Sequence, residues 1–212
     1  MSLNLYLRHR NLEYVLNNTY CDDQGNTVYT VHTPSIFTSN RSTTFSKALQ
    51  NSLPPQQLLS EDGNPTIDNA ISHTVTLDTG ARSNFIYIAQ IEWRLLKLSN
   101  SKFRFGMGRY SGKEVPAKDY FRTKPTIGWS HHFMFTGEDG KEYKWFLRRR
   151  YPELTLNDGS NTSIAIFHPK RLFSKEDRGR LEIFPQGQHM VDEILVTFTY
   201  MERVRKAREG GG

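Results

Sequence analysis

The residues best suited to binding chemistry in this sequence are five cations between residues 141 and 150. With one carboxylate among them, they leave a net charge of five minus one, or +4. In an extended strand, Lys144, Arg148 and Arg150 lie on one face and Trp145 lies on the other. Arginine binds phosphate through paired hydrogen bonds, so Lys144, Arg148 and Arg150 are predicted to bind an anionic ligand. The alternative interpretation is a solvated outer face that serves solubility.

A second group of cations lies near the end of the sequence, at Arg203, Arg205, Lys206 and Arg208. It follows an apolar segment and is interpreted as the basic end of a helix, where cations stabilise the helix dipole. Ligand binding by this second group is the less favoured alternative.

The other polar residues show no catalytic or metal-binding pattern. Cys21 has no nearby histidine to activate it, so a small buried thiol is the better interpretation. His131 and His132 are adjacent, so in a strand they point to opposite faces and cannot hold one metal ion. The glycine pair that begins at Gly106 has Ser111 where a dinucleotide-binding fingerprint needs its third glycine. The sequence therefore predicts no catalytic residue, metal or cofactor, and it favours a non-enzymatic protein.

Composition indicates a folded domain and is compatible with several kinds of anionic partner. The 212 residues are 36% hydrophobic and 24% charged, which is typical of globular proteins. A formal charge of +6 is compatible with nucleic acid, anionic lipid or acidic proteins. Nucleic acid is the less favoured partner, because no recognised nucleic-acid motif accompanies the basic residues.

The sequence also predicts a compartment. A single cysteine and the lack of a signal-peptide pattern predict a cytoplasmic protein, with membrane-peripheral and nuclear locations as alternatives. The apolar run at residues 194–201 is shorter than the ~20 residues of a membrane-spanning helix, so no transmembrane segment is predicted.

Alternating apolar and polar residues predict about ten short strands separated by turn signals. These strands occupy residues 18–21, 27–31, 42–47, 74–77, 85–94, 102–105, 132–136, 142–149, 153–156, 163–168 and 181–184. Two regions rich in proline and glycine are predicted to be irregular: 48–72, as a long surface loop, and 106–128. No linker divides the sequence, so residues 1–209 are predicted to form one domain, with 210–212 as a flexible tail.

Two of these strands have a defined core face. In the strand at 142–149, Tyr143, Trp145 and Leu147 fall on the side that should face the core. The strand at 85–94 places five apolar residues on one face: Phe85, Tyr87, Ala89, Ile91 and Trp93.

Residues 190–207 are predicted to form a helix that is apolar on nearly every side between 194 and 201. Its β-branched residues are also compatible with a strand. The charges favour the helix, because Asp192 and Glu193 lie where a helix N-terminus favours acids. A helix that is hydrophobic all round must be buried, so the strands should enclose it.

Several segments of the last third carry a family resemblance. They are Glu138-Asp-Gly-Lys-Glu-Tyr-Lys-Trp145, Ile164-Ala-Ile-Phe-His168, Leu181-Glu-Ile-Phe184 and Asp192-Glu-Ile-Leu-Val-Thr-Phe198. They resemble a fungal family of unknown function in the tubby C-terminal-like superfamily, which also holds the plant LURP-one-related proteins and the phospholipid scramblases. The resemblance implies a mainly β fold: a closed antiparallel β-barrel of about twelve strands around a central hydrophobic C-terminal helix.

The resemblance also implies a partner, since tubby-type domains bind phosphoinositide headgroups through basic residues. The predicted function is a non-enzymatic binding module for anionic phospholipid headgroups such as phosphoinositides, through Lys144, Arg148 and Arg150. Two alternatives stay open. One is an enzyme or small-molecule carrier with a pocket at the barrel rim, and the other is a protein-interaction scaffold.

Overall fold

The computed structural model describes residues 1–9, 15–34, 41–49, 85–94, 96–124, 132–170 and 178–209. Three predictions lie outside these residues in whole or in large part: the surface loop at 48–72, the strand at 74–77 and the tail at 210–212. Of the adjacent histidines, His132 is described and the preceding one is not.

Within the described residues, thirteen strands form one antiparallel sheet. In chain order they are β1 Leu3–Leu7, β2 Asn18–Cys21, β3 Thr27–His32, β4 Ser42–Ala48, β5 Phe85–Glu92, β6 Lys102–Phe105, β7 Glu114–Pro116, β8 Arg122–Lys124, β9 His132–Thr136, β10 Glu142–Leu147, β11 Pro152–Leu156, β12 Ser163–His168 and β13 Arg180–Ile183. A one-turn helix, α1 Ala117–Tyr120, lies between β7 and β8. A long helix, α2 Val191–Glu209, follows the 3-10 turn Pro185–Met190.

Each strand pairs with the strand that follows it in sequence, except that β7 does not pair with β8 in the described part of the chain. The order in the sheet is β7-β6-β5-β4-β3-β2-β1-β13-β12-β11-β10-β9-β8. β1 pairs with both β2 and β13, so this first strand joins the two halves of the sheet. β1 was not predicted, although it alternates in the expected way: Leu5 and Leu7 are buried, and Tyr6 between them is partly exposed.

The sheet is not closed by hydrogen bonds, so the expectation of a closed barrel is wrong. β7 and β8 are its edges, and no ladder joins them within the described residues. The short helix α1 and the residue after it lie between these edges. Tyr120 stacks on Phe135 at 5.6 Å, and Phe121 lies 5.8 Å from Phe103, both measured between ring centroids. Aromatic side chains rather than a backbone ladder therefore fill the space between the two edges.

The apolar terminal segment forms the predicted helix. In α2, residues 193–202 are all buried, which means that the helix is covered on every side over this length. The predicted bounds of 190–207 lie close to the observed ones. No helix in the described part of the chain has the length and hydropathy that a bilayer crossing needs.

The helix packs against both halves of the sheet. On one side, Tyr200 stacks on Trp93 with the ring centroids 6.0 Å apart. On the other side, Phe198 lies 4.9 Å from Phe167 and 6.4 Å from Trp145. Since Phe198 and Tyr200 are on opposite flanks of α2, the sheet curls around the helix, and the core lies along the helix axis.

The predicted core faces are confirmed in β10 and only partly in β5. Tyr143, Trp145 and Leu147 are all buried. In β5, Phe45 of β4 pairs with Ala89, but the next residue of β4 pairs with Tyr87, so Ile88 is an extra residue. This β-bulge reverses the alternation.

The bulge changes which residues of β5 reach the core. Ile88 is buried, whereas Tyr87 is 42% exposed. Phe85 is partly exposed, so the prediction was wrong for Phe85 and Tyr87 and right for Ala89, Ile91 and Trp93.

The second region predicted to be irregular is partly ordered. Residues 106–113 form turns, as predicted, but β7, α1 and β8 follow within the same region. The prediction of irregular structure was wrong at Pro116, because this proline ends the edge strand β7 and directly precedes α1. A proline is tolerated at both of these places.

Replacing Thr43 by Val should lower the free energy of unfolding by about 1.5 kcal/mol. Trp93 donates its Nε1–H to Oγ1 of Thr43 at 2.7 Å, and Oγ1 of Thr43 lies 2.7 Å from Oγ1 of Thr33, which donates to the carbonyl of Leu16 at 2.5 Å. Valine has nearly the same shape but leaves the buried indole N–H unsatisfied. Urea unfolding measures the loss, and Thr44→Val, at a less buried position of β4, should change the free energy by under about 0.5 kcal/mol.

Candidate anion-binding site

The three residues predicted to bind an anion are separated by the end of a strand. β10 ends at Leu147, so Lys144 lies in the strand, while Arg148 and Arg150 lie in the turn that follows. Nζ of Lys144 donates to Oδ1 of Asn161 at 3.0 Å. The strand predicted at 142–149 was therefore two residues too long, and the shared strand face does not form. That these residues bind an anion stays a prediction.

A tight turn presents the arginines at one end of the sheet. The N–H of Arg148 donates to the carbonyl of Tyr151 at 3.1 Å, which closes a hairpin with Arg149 and Arg150 at its tip. All three arginines are exposed. Nε of Arg148 donates to Oε2 of Glu153 at 2.6 Å, so the charge of Arg148 already has a partner.

A cavity of about 640 Å³ lies between this hairpin turn and the last turns of α2. Its lining residues are Leu147, Arg148, Arg149, Arg205, Arg208 and Glu209. The fold therefore brings together two basic groups that are far apart in the sequence. Of the predicted residues, Arg148 lines this arginine cavity, and Lys144 and Arg150 do not.

Arg205 fixes the shape of the arginine cavity. Its Nε and one terminal nitrogen donate to the two carboxylate oxygens of Glu202 at 2.7 and 2.6 Å. Its other terminal nitrogen donates to the carbonyl of Arg149 at 2.9 Å and to Oε1 of Glu209 at 2.7 Å. Arg205 therefore ties the hairpin turn to the helix, and its own charge is balanced by two carboxylates.

Arg208 and Arg149 carry the charges that are available to a ligand. No carboxylate among the described residues forms an ion pair with either guanidinium. Arg208 lies over the ring of Phe133, with Cζ 5.4 Å from the centroid. One of its terminal nitrogens is buried and has no hydrogen-bond partner within the described residues.

Desolvation of Arg208 favours an anionic ligand. Burial lowers the pKa of its guanidinium below the ordinary value, because the charged form loses hydration. An anion in the arginine cavity would supply both the missing hydrogen-bond acceptor and the missing countercharge.

The charge around the cavity remains positive after its ion pairs are counted. Four lining arginines are set against Glu153, Glu202 and Glu209, and four minus three leaves +1. This arrangement suits phosphate or carboxylate rather than a cation. A metal centre finds no support in the described part of the chain, where no group of three or more His, Cys, Asp or Glu could hold an ion. Cys21 is buried in the core.

These features define a mainly β protein that wraps one sheet around a buried helix and presents an arginine-lined cavity at one end. The chain belongs to a family of unknown function, DUF6593, whose model matches residues 13–207. Among solved structures, it is similar to an X-ray structure of a protein from Arabidopsis thaliana, with 10% identity and a TM-score of 0.34. That match covers 96% of this chain and 91% of the other. No curated protein matches the sequence.

The sequence missed two of the residues that matter most here, Arg149 and Arg208. Strand alternation places Arg149 on the face opposite the three predicted residues, but β10 ends at Leu147, so the alternation does not extend to Arg149. Arg208 was interpreted as part of a helix end. Each of the two arginines lies in a basic cluster that the sequence shows. That the two clusters are close together depends on how α2 packs in the sheet, which the sequence does not show.

Proposed function

We propose that the protein is a non-enzymatic binding module for phosphate-bearing ligands, namely anionic phospholipid headgroups such as phosphoinositides. The arginine cavity is the binding site, with Arg149 and Arg208 as its main contacts and Arg148 at its edge. The observation that carries the proposal is the buried guanidinium nitrogen of Arg208, which lacks a partner within the described residues in a cavity lined by three further arginines.

The chemistry of the two available cations supports a phosphate group. A guanidinium forms two parallel hydrogen bonds with phosphate oxygens, and charge-assisted bonds of this kind contribute about 1.5–3 kcal/mol each. Arg205 holds the backbone of Arg149 and thereby fixes the distance between the turn and the helix. A preorganised pair of arginines loses less side-chain entropy on binding than flexible surface cations do.

The resemblance of the last third to tubby-type domains supports the lipid as the source of the phosphate. The finer assignment, to a fungal family within the tubby C-terminal-like superfamily, is part of this proposal. So is a cytoplasmic location at the surface of a membrane, where basic residues are attracted to anionic lipids.

Arg208→Gln should weaken binding to vesicles that contain a phosphoinositide by about tenfold, because it removes one charge-assisted contact. Flotation of the protein with phosphatidylcholine vesicles, with and without phosphoinositide, measures the binding. Arg149→Gln should act in the same direction. Lys113→Gln removes an exposed cation outside the arginine cavity and serves as the matched control.

Further variants separate the arginine cavity from the residues predicted by sequence. If Lys144→Gln and Arg150→Gln weaken flotation more than Arg208→Gln does, the outer surface of the hairpin is the binding site and the cavity is not. A soluble inositol phosphate, added as competitor, distinguishes a headgroup site from general attraction to a charged surface. Lack of flotation at low salt would remove the proposed function.

A further inference from the structure

A second cavity, of about 330 Å³, lies at the opposite end of α2 from the arginine cavity. It borders the first turn of the helix, and its lining differs from that of the arginine cavity. Val28, Ile88, Phe105 and Val196 form apolar walls. Carboxylates contribute much of its polar lining, so we call it the acidic cavity.

Most charged groups in and around the acidic cavity already have partners. Asp192 accepts from Nζ of Lys47 at 3.0 Å and from the hydroxyl of Tyr29 at 2.5 Å. His189, which also lines the cavity, has Nε2 3.2 Å from Oδ2 of Asp139. Two other carboxylates also line the cavity, those of Glu138 and Glu193.

Among the residues that line the acidic cavity, Glu193 has a buried side-chain oxygen without a partner in the described chain. Its side chain lines the acidic cavity although the residue is only 8% exposed. Oε1 accepts a hydrogen bond from the hydroxyl of Tyr120 at 2.5 Å. Oε2 is buried and has no hydrogen-bond partner among the described residues. A carboxylate oxygen buried without a donor is costly, so this atom marks the place where a ligand donor would be stabilising.

Glu138 adds a second carboxylate to the same cavity. Its side chain forms no hydrogen bond or ion pair with the rest of the described chain. The carboxylate lies against the backbone of Gly108, where an added Cβ would overlap it, and the positive φ of Gly108 also favours glycine. The loop at Gly108 is therefore shaped to leave room for the acid.

We propose that the acidic cavity binds a small primary amine with an apolar body. The ammonium group donates to Oε2 of Glu193 and to the carboxylate of Glu138, and the apolar body lies against Val28, Ile88 and Val196. Lys47 is held by Asp192 and does not compete for Glu193.

Other ligand classes fit this cavity less well. When ionised, the carboxylates of Glu138 and Glu193 repel an anion. A metal ion needs three or more close ligands, and the described residues offer no such group. A cavity of about 330 Å³ is at the small end of the range for ligand sites, which points to a compact molecule. The apolar walls favour an alkyl or aromatic amine over a strongly hydrated cation.

Three probes of equal length but different polar groups test this proposal: hexylamine, 1-hexanol and hexanoate. Isothermal titration at pH 8 uses the ionised carboxylate, because burial raises the pKa of Glu193 to about 7, and the amine is still protonated there. The wild-type protein should bind hexylamine at least tenfold more tightly than 1-hexanol, and it should not bind hexanoate. Equal affinity for the amine and the alcohol would overturn the proposal.

Variants assign the binding to the two acids. Glu193→Gln should weaken hexylamine binding at least tenfold and leave 1-hexanol unchanged, and Glu138→Gln should also weaken the amine. Glu182→Gln, which neutralises a carboxylate on β13 outside the cavity, is the matched control. The variant at Glu138, which is exposed, keeps the test valid if Glu193→Gln fails to fold. Unchanged amine binding in both acid variants would show that the site is elsewhere.

The two sites can fail independently. Residues 193 and 208 lie on the order of 20 Å apart along the helix, at 1.5 Å per residue. Arg208→Gln should therefore leave hexylamine binding unchanged, and Glu193→Gln should leave vesicle flotation unchanged. A loss of amine binding in Arg208→Gln would mean that the amine does not report on the acidic cavity.

Discussion

Replacing Arg205 by Met should lower the free energy of unfolding by about 4 kcal/mol. Glu202 is fully buried, and Arg205 provides two of its hydrogen bonds, at 2.6 and 2.7 Å. Removing one member of a buried ion pair leaves the charge of the other in a medium that hydrates it poorly. Denaturant unfolding, followed by circular dichroism, measures the loss.

Two comparisons establish that the loss comes from the buried pair. Arg203→Met removes another arginine of α2, whose Nε has no hydrogen-bond partner within the described residues, and should change the free energy by under about 1 kcal/mol. The double variant Glu202→Leu/Arg205→Met should recover most of the stability, because it removes the buried charge as well as its partner. Equal losses in Arg203→Met and Arg205→Met would contradict the argument.

The Arg205 prediction also separates stability from binding in the arginine cavity. Arg205 lines the cavity, yet its donors are committed to Glu202, Glu209 and the backbone of Arg149. Arg208 lines the same cavity and has a buried nitrogen without a partner in the described chain. We therefore expect Arg205→Met to act mainly on unfolding and Arg208→Gln mainly on vesicle binding.

The helix was predictable because its signal is local and strong. Residues 194–201 are apolar on nearly every side, and burial is the physical consequence of that pattern. The hairpin of β9 and β10 was predictable for a similar reason: the Asp-Gly pair that ends at Gly140, with φ +80°, makes the turn between two alternating segments.

The errors in the sheet arise where one residue changes the register. The β-bulge at Ile88 reverses which residues of β5 face the core. An isoleucine in a strand does not by itself indicate a bulge. Closure of the sheet depends on how the edges β7 and β8 meet. Tyr120 and Phe121 fill the space between these edges. The alternation of apolar residues along a strand does not predict which edges of a sheet meet.

The two cavities could not be predicted because each combines distant segments. The arginine cavity needs the hairpin turn at Arg149 to meet the end of α2. In the acidic cavity, Glu193 was interpreted from the sequence as an acid at a helix N-terminus. Glu193 does lie in the first turn of α2, as predicted, but its side chain contacts Tyr120 of α1, which is distant in the sequence.

Glu193 should make the protein less stable as the pH rises from about 4.5 to 7.5. Burial raises the pKa of its carboxyl group to about 7. The charges of Glu138 and Asp139 add to the rise, and the hydroxyl of Tyr120 and the backbone N–H of Glu138 oppose it. In the unfolded chain, the ordinary pKa is 4.5. Between these values the folded state holds a proton that the unfolded state has lost, so increasing pH favours unfolding. Above both values the penalty is complete, at about 3 kcal/mol.

The measurement is the difference in unfolding free energy between the wild type and Glu193→Gln at several pH values. Groups that titrate in both proteins cancel in this difference, and the buried amide of the glutamine adds a constant that does not depend on pH. The difference should shift by about 3 kcal/mol in favour of Glu193→Gln between pH 4 and pH 8, and remain level above pH 8. A difference that stays constant with pH would mean that Glu193 is hydrated in the folded state, and the acidic cavity would then lose the unsatisfied carboxylate on which the amine site depends.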